Sequence, residues 1–286
     1  MKWPDGKTSA AAFTFDVDAE SAVLWDTPES ARRMGVMSHQ AYGPMVGVPR
    51  LLNLLERRGI RATFFVPGYT AHRYPGTVKD IAAAGHEIGH HGYLHEQPSR
   101  LSLEQETEAL DAGLDALSEV AGIRPCGYRA PMWDPSWETP RLLQERGFLY
   151  DSSLMDADEP YELRTESGSS KSLVEIPIQW ALDDWEQYCY LPDLAGSGLI
   201  ETPEKARELW ISEFHGLHEA QGCWVLTNHP FLSGRPGRAK SLDLVMEEVT
   251  TTPGVWVASL EEIARHTRSL NLEPRTIKKP QHPGAI

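Results

Sequence analysis

Short apolar runs alternate along this chain with stretches in which apolar positions recur every three to four residues. The first pattern predicts buried strands and the second amphipathic helices. Residues 11–15 (Ala-Ala-Phe-Thr-Phe) predict a strand, 48–58 a helix, and 61–67, rich in aromatic and β-branched residues, a second strand. A helix over 78–84 and a short strand over 86–89 follow. Ser102 with Gln105 three residues on predicts a capping box, opening a helix that carries Leu103, Leu110, Leu114 and Leu117 at helical spacing. Next come a strand over 126–129, a helix over 137–146 and strands over 148–151 and 175–178. Thr202-Pro203 reads as an N-cap followed by proline at the first helical position, with the helix running to about 220. Strands are predicted over 224–227 and 255–258, and Ser259 with Glu262 forms a second capping box before the last helix.

This βα alternation over the whole length predicts one α/β domain with a parallel sheet, a (β/α) barrel over residues 1–270. Two segments stand outside the repeat. Residues 19–47, between the first strand and the first helix, are too many for a routine βα loop and read as a lid or a site wall. Residues 159–172, with Ser167-Gly168-Ser169-Ser170 at the turn, predict a hairpin. The C-terminal extension, 271–286, is expected to leave the body, either disordered or gripping a neighbouring subunit in a homo-oligomer.

The 286 residues suit a single barrel. A net charge of −14 makes nucleic acid and anionic membranes poor partners, and its plainest meaning is solubility. No apolar stretch approaches the roughly 20 residues of a membrane span, and the N-terminal apolar run is too short for a signal-peptide core. A cytoplasmic location is therefore expected. Cys126, Cys189 and Cys223 lack Cys-x-x-Cys spacing and read as reduced core fillers.

Reactive residue types collect just after the predicted strands: Asp16 and Asp18, His91 and His95, Arg129, Asp151, and His229. In a parallel barrel these strand exits share one face, where active sites are built. His91 and His95 are four apart, one helical turn, so both imidazoles can reach one ion. Asp18 from another strand exit would complete two nitrogens and one oxygen, a set that leaves coordination positions open. The rival pair His86 and His90 lies on a predicted strand, where four residues span about 13 Å, too far to share an ion. Asp16 and Asp18, two apart at an extended strand end, point the same way, so one can bind a cation while the other accepts a proton. A loop start or helix cap is the plainer meaning of Asp-x-Asp. His229, kept out of helix by Pro230, is a candidate general acid, or otherwise a hydrogen-bonded loop residue.

In this order the segments resemble the polysaccharide deacetylase (NodB-like, carbohydrate esterase 4) family, over about 14–264. Thr14-Phe15-Asp16-Val17-Asp18, His91-x-x-x-His95, Arg129-Ala130-Pro131, Asp151-Ser152-Ser153 and Leu226-Thr227-Asn228-His229-Pro230 are similar to its five motifs. Ala62-Thr63-Phe64-Phe65-Val66 and Gly85-His86-Glu87-Ile88-Gly89-His90-His91 are similar to its approach to the metal histidines. The resemblance implies a distorted barrel of seven parallel strands and a divalent metal, usually zinc, on Asp18, His91 and His95. It also implies Asp16 as base, His229 as acid to the departing nitrogen, Arg129 as the partner that orients Asp16, and Asp151 as the partner that orients His229. An ordinary buried ion pair is the plainer reading of Arg129 and Asp151.

Valine between the aspartates departs from the family's usual adjacent pair. It resembles the branch holding peptidoglycan deacetylase-like proteins, cyclic imide hydrolases and allantoinase-like enzymes, as do Tyr42-Gly43, Arg129-Ala130-Pro131-Met132-Trp133 and the stretch 180–184. The expectation is a hydrolase of non-peptide carbon–nitrogen bonds in a small soluble imide or ureide. An N-deacetylase of peptidoglycan or another amino sugar is the alternative, and a non-enzymatic carbohydrate-binding protein on the same fold is a third. Residues 19–47 are expected to roof the site, with Trp25, Tyr42 and Trp133 lining it.

Overall fold

The apolar runs become strands because both of their faces are covered: every residue of β1 (Ser9–Asp16) is buried. The computed structural model describes residues 1–165, 172–196 and 199–281. After β1 come β2 (Thr63–Val66), β3 (Glu87–His90), β4 (Gly127–Tyr128), β5 (Tyr150–Asp151), β6 (Tyr161–Thr165) and β7 (Leu173–Glu175). Then follow β8 (Tyr190–Leu191), β9 (Ala195–Gly196), β10 (Cys223–Asn228), β11 (Val255–Val257) and β12 (Arg275–Ile277).

Seven strands, in the order β10-β1-β2-β3-β4-β5-β7, pair in parallel. A parallel bridge from Asp183 to Thr227 spans the gap between the end of β7 and β10. The ring is therefore a barrel, distorted at that seam. It is distorted again at β1, where β11 lies along Ser9–Ala11 and β2 along Thr14–Asp16. Helices join the strands and cover the outside; Val48–Arg58, Pro75–Ala83, Leu103–Ala121 and Pro203–Glu219 are among them. Both predicted capping boxes form, with Ser102 and Ser259 each accepting from the backbone N–H three residues on. The apolar stripe of Leu51, Leu54 and Leu55 packs Val48–Arg58 onto the barrel.

Several expectations change. The helix Pro236–Thr251 escapes the sequence pattern, because its opening Pro-Gly reads as a turn; its buried stripe is Leu242, Val245, Met246 and Val249. The strand expected over 175–178 lies earlier, at Leu173–Glu175, and pairs antiparallel with β6, so the hairpin expected within 159–172 extends to Glu175; its expected turn, 167–170, lies outside the described residues. The extension does not leave the body at once: Arg275–Ile277 runs parallel to β6 of its own chain, and Arg275 pairs with Asp156 at 2.9 Å. Residues 282–286 lie outside the described residues. All three cysteines are free, Cys189 and Cys223 buried and Cys126 partly so.

The long insertion does not form a roof. It folds into helices Ser21–Asp26 and Met34–Tyr42 and a π-helical turn, Gly43–Gly47, which packs on the segment after His229. A Cβ on Gly47 would stand 2.1 Å from the Pro230 carbonyl oxygen. Arg50 donates to the Gly234 carbonyl, and the Arg235 guanidinium lies 3.5 Å from the centre of the Tyr42 ring. Tyr42 thus buttresses the loop that carries His229. Gly47→Ala is expected to cost about 1–3 kcal/mol through overpacking and to lower activity by displacing that loop. Gly76→Ala, where a Cβ meets open space, is expected to be neutral or slightly stabilising; thermal unfolding of the two variants checks the contrast.

Candidate active site

Asp16 ends β1, and the chain leaves the strand through a turn fixed at Asp18. The Asp18 carbonyl accepts from the Ser21 N–H, from Ser21 Oγ at 2.7 Å and from Thr70 Oγ1 at 2.8 Å. Both carboxylates are buried and turn to the same side. His91 follows β3, but the histidine pair sits on a loop and not on the helical turn its spacing suggested. Gly92 takes φ +72° and His95 φ +64°, while Glu96 Oε2 accepts from the Tyr93 and Leu94 N–H groups. The loop still brings the two imidazoles together, with ring centres 4.9 Å apart.

Asp18 Oδ1 lies 3.5 Å from His91 Nε2, and Asp18 Oδ2 lies 3.6 Å from His95 Nε2. These separations exceed a hydrogen bond, and Asp18 Oδ1 is buried without any partner. Donor atoms about 3.4 Å apart are what a tetrahedral shell with bonds of about 2.1 Å needs. His91 Nδ1 lies 2.8 Å from the Arg129 carbonyl, to which it can donate, leaving the Nε2 lone pair toward Asp18. Burial, opposed by Asp18, pushes this imidazole down to about 3, so it is the neutral form that a ligand requires. The donor set fits a divalent cation. His86 and His90 are otherwise engaged: His86 Nδ1 accepts from the Ala62 N–H, and His90 Nε2 meets the Leu110 carbonyl.

Arg129 is fully buried. Its Nη1 donates to Asp16 Oδ1 at 2.9 Å, Thr14 Oγ1 at 2.9 Å and Thr227 Oγ1 at 3.2 Å, while Nε donates to the Ser152 carbonyl. The guanidinium lies 4.3 Å from the centre of the Phe65 ring. Asp16 is thereby held with Oδ2 facing the cluster, 4.0 Å from His91 Nε2.

His229 leaves β10 with Nε2 3.6 Å from Asp18 Oδ2. Its carboxylate partner is not Asp151. Asp184 Oδ1 accepts from His229 Nδ1 at 2.7 Å and from its backbone N–H at 2.9 Å, and Asp184 Oδ2 accepts from Ser233. Burial alone would lower this imidazole, but Asp183, the bond to Asp184 and Asp18 outweigh it and hold it up to about 10. Asp151 instead accepts from Ser153 Oγ at 2.5 Å and stands beside Glu175 on the next strand. Burial pushes both carboxyls up, Asp151 to about 6. Asp183 was also missed. Burial, opposed by His229, raises it to about 8, and it lines the cavity. The acidic doublet just before Trp185 was the available signal.

A cavity of about 110 Å³ lies over these groups. Trp133 lines it as expected, stacked on Trp180 with ring centres 4.6 Å apart, and Met132, Trp185 and Glu186 complete the wall. Ala19, His95, Met132 and Trp133 all take positive φ although none is glycine. Such strain, of order 1–3 kcal/mol per residue, collects where surrounding packing enforces a functional shape.

This combination of barrel and site is that of hydrolases acting on carbon–nitrogen amide bonds. A polysaccharide deacetylase profile matches residues 41–150. The peptidoglycan deacetylase of Helicobacter pylori is 31% identical, with 90% of this chain and 96% of that protein covered. A Mycobacterium smegmatis structure described as a polysaccharide deacetylase is 58% identical with TM-score 0.96, covering 99% of this chain and 98% of that one. The structure of Puue allantoinase is 25% identical with TM-score 0.81, covering 93% and 92%. The chain belongs to the polysaccharide deacetylase family.

The Asp184 contact makes a direct expectation. Asp184→Asn should move the NMR titration of His229 down toward the ordinary histidine range, and Asp151→Asn should leave it in place. The reverse result would return the orienting role to Asp151.

Proposed function

We propose that the chain hydrolyses a carbon–nitrogen bond of a small cyclic imide or ureide, with a zinc ion held by Asp18, His91 and His95. The observation that carries this reading is the size of the cavity: at about 110 Å³, walled by Trp133, Trp180 and Trp185, it suits a small ring better than a glycan strand. The likeness to Puue allantoinase points the same way. Deacetylation of an amino sugar is the second reading, favoured by the full-length likeness to the Helicobacter pylori peptidoglycan deacetylase. No helix among the described residues is long and apolar enough to cross a membrane.

A bound divalent ion would acidify a water and polarise the substrate carbonyl. The chain's own groups do the rest. Asp16, oriented through Oδ1 by Arg129, accepts the proton of the attacking water on Oδ2. His229, oriented through Nδ1 by Asp184, delivers a proton from Nε2 to the departing nitrogen. The aromatic wall excludes bulk water, which strengthens each of these electrostatic contacts.

His91→Ala should lose most zinc by elemental analysis while keeping its circular dichroism; unchanged zinc would return His86 and His90 to consideration. Asp16→Asn should retain zinc and lose about 10²–10⁴ in kcat. His229 must be protonated to act as acid, so activity is kept below its pKa and lost as pH rises through it. Asp184→Asn lowers that pKa, and the alkaline limb of kcat/KM should move to lower pH. An imide nitrogen leaves more readily than an amine, because its second carbonyl spreads the charge. His229→Ala should therefore harm imide hydrolysis less than deacetylation. A wild type that deacetylates N-acetylglucosamine oligomers and ignores every imide and ureide sinks the small-molecule reading.

A further inference from the structure

The cavity over the aspartates has a neighbour. His95, Met132 and Trp185 line both it and a second chamber of about 220 Å³. Three separate segments build the second chamber: Val23 and Trp25 from the insertion, Gln97 and Arg100 after the histidine loop, and Leu191 and Leu194 from the β8–β9 hairpin. The chamber is braced. The Arg100 guanidinium lies 5.1 Å from the centre of the Trp25 ring and donates to Asp26 Oδ1 at 3.3 Å. The helix carrying Val23 and Trp25 is tied at its first residue to the carbonyl of Asp18.

Alone, the cavity over Asp18 is smaller than the roughly 300–1,000 Å³ usual for small-molecule sites; with the second chamber it reaches the lower end of that range. The charges at the second chamber cancel, since Arg100 and Asp26 pair with each other and both are more than half exposed. Gln97 Nε2 is taken up by Asp134 at 2.6 Å, and beside Thr27 and His95 the rest of the wall is apolar, chiefly Val23, Trp25, Leu191 and Leu194. We infer that this chamber is a specificity pocket for a neutral, apolar side group, aromatic or branched aliphatic, carried on the ring whose carbon–nitrogen bond is cleaved over Asp18. The inference rests on the small-ring reading above. It gives the insertion a recognition role in place of the roof its length suggested.

The experiment compares bare succinimide and hydantoin with their benzyl- and isobutyl-substituted forms, using the zinc-loaded full chain. Wild type should favour the substituted rings by about tenfold or more in kcat/KM, the scale set by filling an apolar pocket. The gain should appear in KM, because the side group lies away from the reacting atoms. Trp25→Ala removes a wall, and Ala22→Trp, at a residue that also lines the chamber, fills it; each should cut the substituted-to-bare ratio by about tenfold. Ala22→Trp keeps the test open where Trp25→Ala folds poorly. Turnover of bare rings with no preference for substituted ones, or a preference that both variants leave intact, overturns this inference and spares the reading beneath it. No turnover of any ring overturns both.

Discussion

The buried guanidinium of Arg129 is the contact around which the site is assembled. Its donors reach Thr14 and Asp16 of β1, Thr227 of β10 and the segment after β5, and its face lies on Phe65 of β2. An ion taken out of water costs several kcal/mol, and a close carboxylate with further hydrogen bonds is needed to offset it. Asp16 supplies the charge, and the Thr14, Thr227 and Ser152 oxygens accept from the guanidinium N–H groups. The backbone of the same residue accepts from His91 Nδ1, so one residue orients the proposed base through its side chain and a proposed ligand through its carbonyl. Cβ space is tight beneath it: a side chain on Gly89 would strike the Phe65 ring at 2.5 Å and disturb the surface on which the guanidinium rests.

The second constraint is an excess of negative charge. Asp16, Asp18, Asp183 and Asp184 are all buried near one another. Arg129 balances Asp16, and Asp184 takes His229. The burial of Asp183 is met by a raised pKa, while Asp18 keeps an oxygen with no partner. This buried carboxylate faces the imidazoles of His91 and His95 at 3.5–3.6 Å, and a carboxylate taken out of water calls for a compensating partner. The cation proposed at Asp18 would address the same electrostatic problem, and His95, Met132 and Trp133 take positive φ beside it.

Division of labour among the loops follows from where each can reach. The insertion after β1 presses its glycine-rich end on Pro230 and leaves its first helix beside the site. The wall over the reacting groups comes from the loops after β4 and β7, through Trp133, Trp180 and Trp185. The rigid contact at Gly47 and the open chamber at Trp25 thus belong to one segment with two functions.

Much of this was written in local pattern. Short continuous apolar runs marked most of the barrel strands and period-3.6 spacing many of the helices, the Ser102 and Ser259 boxes act within four residues, and strand exits in a parallel barrel must share a face. Asp16, Asp18, His91, His95, Arg129 and His229 were legible for that reason, because the sheet itself brings them together. The partner of His229 was not. Asp184 stands 45 residues earlier, on an irregular segment that returns to β10 through a single bridge at Asp183, and no periodicity encodes such a path. Asp151 had the right residue type at a strand exit, but its neighbour across the ladder is Glu175, a pairing that only sheet order decides. The docking of 275–277 on β6 and the failure of the insertion to roof the site have the same origin. Each is a contact between distant segments, chosen by which apolar and hydrogen-bonding surfaces the barrel leaves uncovered once it has closed.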